Sequence, residues 1–486
     1  DPDVIRVEDT YYMVSTTMHF MPGCEILQSF DLVHWEHATY VYETLDHTDA
    51  QQLKSGQNIY GQGMWAASLR YHEGRFYICF VANDTRKTYL YTSEKIDGPW
   101  KKQLIEGFYH DGSLLFDEDG RNYIVYGNDE IWITELNEDL TAPKKDGLHR
   151  LLVSDHKNPE LGYEGSHIQK INGYYYIFLI HSLRDRWMRT EACFYSDSLE
   201  GEFTGGDVLC DDRGYCGQGV AQGGIVDTPD GKWYAMLFQD SGAVGRIPIL
   251  LPVTWKDHFP VFGQNGHVPE EIEVHSTRPG YIYQPLVGSD DFCNGLLPRW
   301  QFNHDPDPRY YHLDALQGTY TITTREVCTE LTQAVNTLTQ RMSYPSCAAE
   351  VTVDASALKE GDVAGLCALQ SCYAAVGITK HHGKYEVLML DKKEDGILDM
   401  TEGTVVESHQ MDFRLEADFC NMKDEARCYY RVNKGDWLPI GTVHKLYFKL
   451  DHFTGCRFGL FCYAAEETGG SACFRDFKYY DVDEIS

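Results

Sequence analysis

The chain has 486 residues, 43% hydrophobic and 24% charged, which excludes a disordered chain and is too long for one ordinary core. A formal net charge of -32 excludes a phosphate-binding surface of clustered Lys and Arg, so no nucleic acid is expected as a partner. No apolar run reaches the roughly 18 residues of a membrane helix, so no membrane is expected either.

Five segments repeat one pattern: an apolar strand, a tight turn rich in Asp, Asn and Gly, then an aromatic strand. They read DPDVIRVEDTYYMVSTT (1–17), WAASLRYHEGRFYICF (65–80), HDGSLLFDEDGRNYIVYG (110–127), EGSHIQKINGYYYIFLI (164–180) and QGGIVDTPDGKWYAMLF (222–238). The D-G and N-G pairs supply the positive φ angles of hairpin turns. A period of about 45 to 60 residues with several strands per unit predicts blades of four antiparallel strands around a channel. Weaker strands such as YLYTSEKIDGPWKK and ACFYSDSLEGEFTG supply the outer halves of the blades.

After Thr277–Pro285 the repeat stops, and AAEVTVDAS, KYEVLML, ARCYYRV and KLYFKLDHF alternate apolar and polar residues as the strands of a two-sheet sandwich do. The expected fold is all-β: a five-bladed β-propeller over residues 1–280 and a β-sandwich over 281–486. The 33 Tyr and 9 Trp fit strands, and also fit sugar rings that stack on flat aromatic faces.

The 15 Cys are an odd number without a C-x-x-C pair, and several lie in apolar strand-like runs such as GLCALQSCYAAVGI. Buried reduced thiols are expected, which favours a reducing, cytoplasmic setting; the abrupt start DPDVIRV leaves room for a trimmed leader. No metal-ligand spacing occurs, so no metal ligand is assigned.

Aligning the repeats on Gly74, Gly120, Gly173 and Gly231 places Trp65, Asp111, Glu164 and Gln222 at one common position, nine residues earlier. In the first repeat the mark falls on Asp9 and the counterpart is Asp1, one residue out of register, an offset that a turn-length difference or a bulge near Pro2 would absorb. That position starts the innermost strand of each blade, so all five residues line one mouth of the channel. Three of them are acids, and convergent carboxylates raise one another's pKa, which points to catalysis or to a metal cluster. No His shares the register. Glycoside hydrolysis needs one acid to protonate the leaving oxygen and one base to activate water; Glu164, with Asp111 beside it to hold its proton, suits the acid and Asp1 the base.

The runs DPDVIRVEDTYYMVSTTMHFMPG, HDGSLLFDEDGRNYIV and YEGSHIQKINGYYYIF resemble the base, pKa-modulator and acid motifs of glycoside hydrolase family 43, the inverting β-xylosidases and α-L-arabinofuranosidases. The resemblance implies Asp1 as general base, Asp111 as modulator and Glu164 as general acid. It also implies Trp65 beside the first sugar subsite, Arg246 reaching sugar hydroxyls, and Met18 in the pocket wall where relatives often carry Phe. Gln222 stands where many relatives have a His at a calcium or water site on the propeller axis; no cofactor is required, and a structural calcium ion is left open. The region from SDDFCNGLLPRWQFNH resembles the family's concanavalin-like sandwich, one loop of which would close the pocket and make the enzyme exo-acting on hemicellulose oligosaccharides or side chains. A retaining fructan or sucrose hydrolase, and a sugar-binding propeller without catalysis, are the competing readings.

Overall fold

The computed structural model describes residues 1–481. Five four-stranded antiparallel sheets follow one another along the chain, each made of consecutive strands except that the first passes over the short strand Phe20–Met21. Their innermost strands are Asp3–Val7, Met64–His72, Ser113–Phe116, Glu164–Ile171 and Ala221–Asp227, one per blade. The blades pack through apolar clusters between neighbouring sheets, such as Leu115, Tyr123 and Val125 against Ile168, Tyr175 and Ile177.

A buried polar knot ties the inner strands together. The Asp3 carboxylate accepts hydrogen bonds from the Leu69 amide (2.7 Å) and Arg70 (2.8 Å) of blade 2 and lies 3.1 Å from His167 of blade 4. Arg70 continues to Ser113 of blade 3 (2.7 Å) and to the Ile168 carbonyl (3.2 Å). Among the described residues no strand is shared across the ring, and blade 5 is joined to blade 1 by other contacts: Arg6 pairs with Asp227 at 2.5 Å, and Thr277 and Arg278, beyond blade 5, bond back to Asp9.

The C-terminal region is a sandwich of a nine-stranded and a seven-stranded sheet around one large core. The nine-stranded sheet takes its edge strand, Phe20–Met21, from the first blade, where it pairs with Gln301–Asn303. Arg457 lies over the Phe20 ring at 3.6 Å, and Arg341 pairs with Glu25 at 2.5 Å, so a shared sheet and buried charges join the two regions. The alternation in KLYFKLDHF is misleading: the strand Leu438–Lys445 ends where that run begins, and the following residues leave the sheet as a loop. Leu446 and Phe453 are both buried, Leu446 in the sandwich core and Phe453 at the propeller.

All 15 cysteines are free, most of them buried, as expected for packing thiols. No helix among the described residues is long and apolar enough to cross a membrane.

Candidate active site

The starts of the inner strands are aimed by local irregularities. The inner strands of blades 2, 4 and 5 each carry a bulge, at Met64/Ala67, Glu164/His167 and Ala221/Gly224. Asp111, Gly165 and Gln222 have positive φ (47°, 66° and 60°), which turns the chain toward the mouth of the channel. Glycine is required at 165, because a Cβ there would stand 2.7 Å from the Gln222 side chain. Blade 1 pairs regularly from Asp3 to Val7, so beside blades 2 and 4, which have the same two-residue turn, Asp1 is one residue nearer its turn because those blades carry the bulge, not because of a bulge near Pro2.

Asp1 and Arg246 are paired directly, and Thr16 donates to the other oxygen of Asp1 at 2.6 Å. Arg246 also reaches Asp240 (3.3 Å), which contacts Arg189, so charges alternate along Asp1, Arg246, Asp240 and Arg189. Burial lowers the pKa of Arg246 to about 10 and that of Arg189 to about 9, and both remain cationic at neutral pH. The charges of Glu164 and Asp111 also act on Arg246, which therefore links the two sides of the pocket.

On the other side, the Asp111 carboxylate accepts from the Gly165 amide at 3.0 Å, and Glu164 accepts from Asn128 at 2.7 Å. His110 stands between them, its Nε2 3.5 Å from Asp111 Oδ2 and 3.5 Å from Glu164 Oε2. Burial is the largest influence on Asp111 and raises its pKa; His110 opposes that rise and Glu164 adds to it. The charge of Asp111, working against burial, pushes His110 up to about 9. No His occupies the common register position, yet the residue one step before Asp111 brings an imidazole to the acids.

Trp65 faces the same mouth, 6.4 Å from the His110 ring and edge-on to Phe453 at 5.3 Å. Phe453 comes from the sandwich loop and also lies 4.2 Å from the Arg246 guanidinium. Met18 has no exposed surface and takes the Thr454 hydroxyl on its sulfur at 3.6 Å, so it braces that loop from behind and does not line the sugar pocket. Gln222 is buried against Gly165, with its amide held by Glu191 at 2.7 Å.

Among the described residues one group of His, Cys, Asp and Glu ligand atoms converges, that of His110, Asp111 and Glu164. A cavity of about 700 Å³ between blades 1 and 5 and the sandwich is lined by Asp1, Thr16, Arg246 and Phe453, is mainly apolar, and includes neither Trp65 nor Glu164.

The sequence alignment did not find Thr16, Asn128, Asp240, Arg189 or Phe453. A usable signal existed for three of them. The second strand of each hairpin runs back to the mouth where the first began, and Thr16, Asn128 and Asp240 stand at or just past the ends of such strands.

Residues 1–260 match the description "Glycosyl hydrolases family 43", and residues 289–480 match "Beta xylosidase C-terminal Concanavalin A-like domain". The chain belongs to glycosyl hydrolase family 43. It is thus a glycoside hydrolase working on carbohydrate, in a family whose reaction inverts the anomeric carbon. A "Beta-xylosidase" of Formosa agariphila is 26% identical over 99% of this chain and 87% of its own length. A non-reducing end alpha-L-arabinofuranosidase of Bacteroides ovatus is 24% identical, over 82% of this chain and 78% of its own. Among solved structures, a "Bifunctional GH43-CE" protein of Bacteroides eggerthii superposes with a TM-score of 0.91 at 42% identity, covering 99% of this chain and 62% of that one, so this chain spans under two thirds of that protein. An engineered family member with endo-xylanase and exo-arabinofuranosidase activity superposes with a TM-score of 0.86 at 27% identity, covering 99% of this chain and 97% of that one.

Proposed function

We propose that this enzyme releases terminal pentoses, α-L-arabinofuranose, β-D-xylose or both, from hemicellulose oligosaccharides or side chains, with Asp1 as general base, Glu164 as general acid and Asp111 as modulator. The observation that carries the reading is the division of the mouth into two sets: Asp1 held by Arg246 and Thr16, and Glu164 held beside Asp111 and His110.

A carboxylate whose two oxygens are fixed by Arg246 and Thr16 is oriented and paired with a cation, as suits a base. In the reaction Asp1 takes a proton from a water molecule as the oxygen of that water bonds to the anomeric carbon. The bond from that carbon to the glycosidic oxygen breaks, and the Glu164 proton goes to the leaving oxygen. Exchange with solvent then returns a proton to Glu164 and removes one from Asp1. Asp111 orients Glu164 through the Gly165 amide, which donates to its carboxylate at 3.0 Å. Phe453 and Trp65 meet edge to face and narrow one side of the mouth, which suits a chain end better than the middle of a chain.

The relatives' names include both a xylosidase and an arabinofuranosidase, which supports a pentose substrate. The test is hydrolysis of nitrophenyl pentosides and of a panel of xylan and arabinan oligosaccharides, with the first-formed anomer read by NMR. Glu164→Ala and Asp1→Ala should each lower kcat by at least about 100-fold, the usual contribution of a positioned proton-transfer group. Full activity in either variant, or a retained anomer, would sink the assignment.

A further inference from the structure

His110, Asp111 and Glu164 present three ligand atoms, one nitrogen and two oxygens, all within 4.8 Å of one another. The spacing within that set matters. From Nε2 to each carboxylate oxygen the distance is 3.5 Å, whereas a charge-assisted N–H···O bond closes to about 2.7–2.9 Å. Two ligands each about 2.0–2.1 Å from one tetrahedral ion stand roughly 3.3–3.4 Å apart, by the geometry of the tetrahedron. The observed separations therefore fit a shared metal ion better than a tight hydrogen bond. Each oxygen has one protein donor already, Gly165 for Asp111 and Asn128 for Glu164, and each keeps a lone pair for a second partner.

We propose that His110, Asp111 and Glu164 form a binding site for a borderline divalent transition-metal ion such as Zn²⁺, and that the bound ion switches off hydrolysis. An imidazole with two carboxylates is a common zinc donor set, while calcium and magnesium favour oxygen alone. The two negative charges balance the ion, and the fourth position is left for water or a sugar hydroxyl. A metal bond to Glu164 Oε2 takes the place of the proton the reaction needs. The inhibitory consequence rests on Glu164 being the acid; the binding does not.

The test uses the whole chain, stripped with a chelator. Calorimetric titration with ZnCl₂ should show one equivalent bound, and Co²⁺ should give the intense visible absorption of a tetrahedral site, a reading that needs no variant. His110→Ala should weaken Zn²⁺ by more than about tenfold, since loss even of an outer-shell partner can cost that much. His381 and His382, whose rings lie 4.0 Å apart on the sandwich, are the competing surface pair, and replacing both with Ala should leave the site intact. Zn²⁺ should abolish wild-type hydrolysis, with recovery on adding EDTA, while His110→Ala should lose that sensitivity relative to its own metal-free rate. No binding, or binding that survives His110→Ala and vanishes with the His381/His382 pair, overturns the proposal. Stoichiometric, His110-dependent binding in a protein that cleaves no pentoside would instead leave the site standing and remove the functional reading.

Discussion

Phe453 and Arg246 belong to different regions of the chain, yet the Phe453 ring centroid lies 4.2 Å from the guanidinium carbon. Phe238 lies 4.4 Å from the same carbon, so the arginine that holds Asp1 is itself held by a ring from each region. A cation–π contact of this kind contributes about 0.5–2 kcal/mol. Phe453→Ala should lower kcat/KM on a nitrophenyl pentoside about 3- to 30-fold and should admit longer chains, read as internal cleavage products from xylan. Unchanged kinetics would show that the ring is a bystander.

The chain of charges behind Asp1 gives a second expectation. Asp240 is buried between Arg246 and Arg189. Replacing it with Asn leaves two buried cations facing each other without their anion, a situation that costs about 3–5 kcal/mol when one partner of a buried pair is lost. Asp240→Asn should therefore melt at a lower temperature and lose about 10- to 100-fold in kcat, with a smaller change in KM, because Arg246 orients the base. If thermal stability and kcat were both retained, the network would have no part in holding Asp1.

How much of this was legible in the sequence follows from where each residue sits. The blades could be counted because every hairpin repeats locally, and the acids could be aligned because each stands at, or two residues before, the start of an inner strand whose turn lies a nearly fixed distance away. That fixed distance was partly fortuitous. Beside blades 2 and 4, blades 3 and 5 have shorter inner strands, Phe116 pairing with Asn122 and Asp227 with Trp233 across longer turns, and the two differences cancel in the count. Phe453 was illegible because its partners are Trp65 and Arg246, hundreds of residues away, and because its own run alternates like a strand. Asn128 and Asp240 were illegible for a milder reason: they close hairpins, and the alignment tracked only the openings.

Acid should loosen the propeller through Asp3. Burial opposes ionisation of this carboxyl, but Arg70 and His167 outweigh it and hold its pKa at about 2. The folded value lies below the unfolded one of about 3.9, so the stabilisation is complete above the unfolded pKa and is lost as pH falls through the folded one. The loss is on the order of 2 kcal/mol between about pH 5 and pH 2. Urea midpoints for the native protein should drop over that range by more than those of Asp3→Asn, which is already destabilised at pH 7. Parallel decline in the two would place the acid-sensitive group elsewhere.

The seam between propeller and sandwich can be tested at one backbone contact. Gly455 has φ of 103°, and a Cβ on it would stand 2.1 Å from the Val244 carbonyl oxygen; Gly245, on the facing loop, has φ of 96° and would place its own Cβ 2.6 Å from the Gly455 nitrogen. The loops therefore meet backbone to backbone, two residues after Phe453 and one before Arg246, and the Cys456 amide bonds to the Ala243 carbonyl at 2.9 Å. Alanine at 455 combines an unfavourable φ with a steric overlap that neither backbone can relieve without moving. Gly455→Ala should cost at least about 2 kcal/mol in stability, from the strained backbone together with the overlap. It should also reduce kcat/KM, because displacing either loop moves Phe453 or Arg246. Gly74→Ala is the control for backbone strain alone: its φ is 78° and nothing lies within 4 Å of its Cβ position, so it should lose some stability and little activity. If both variants kept full activity, the close approach of the two loops would not be what sets the pocket.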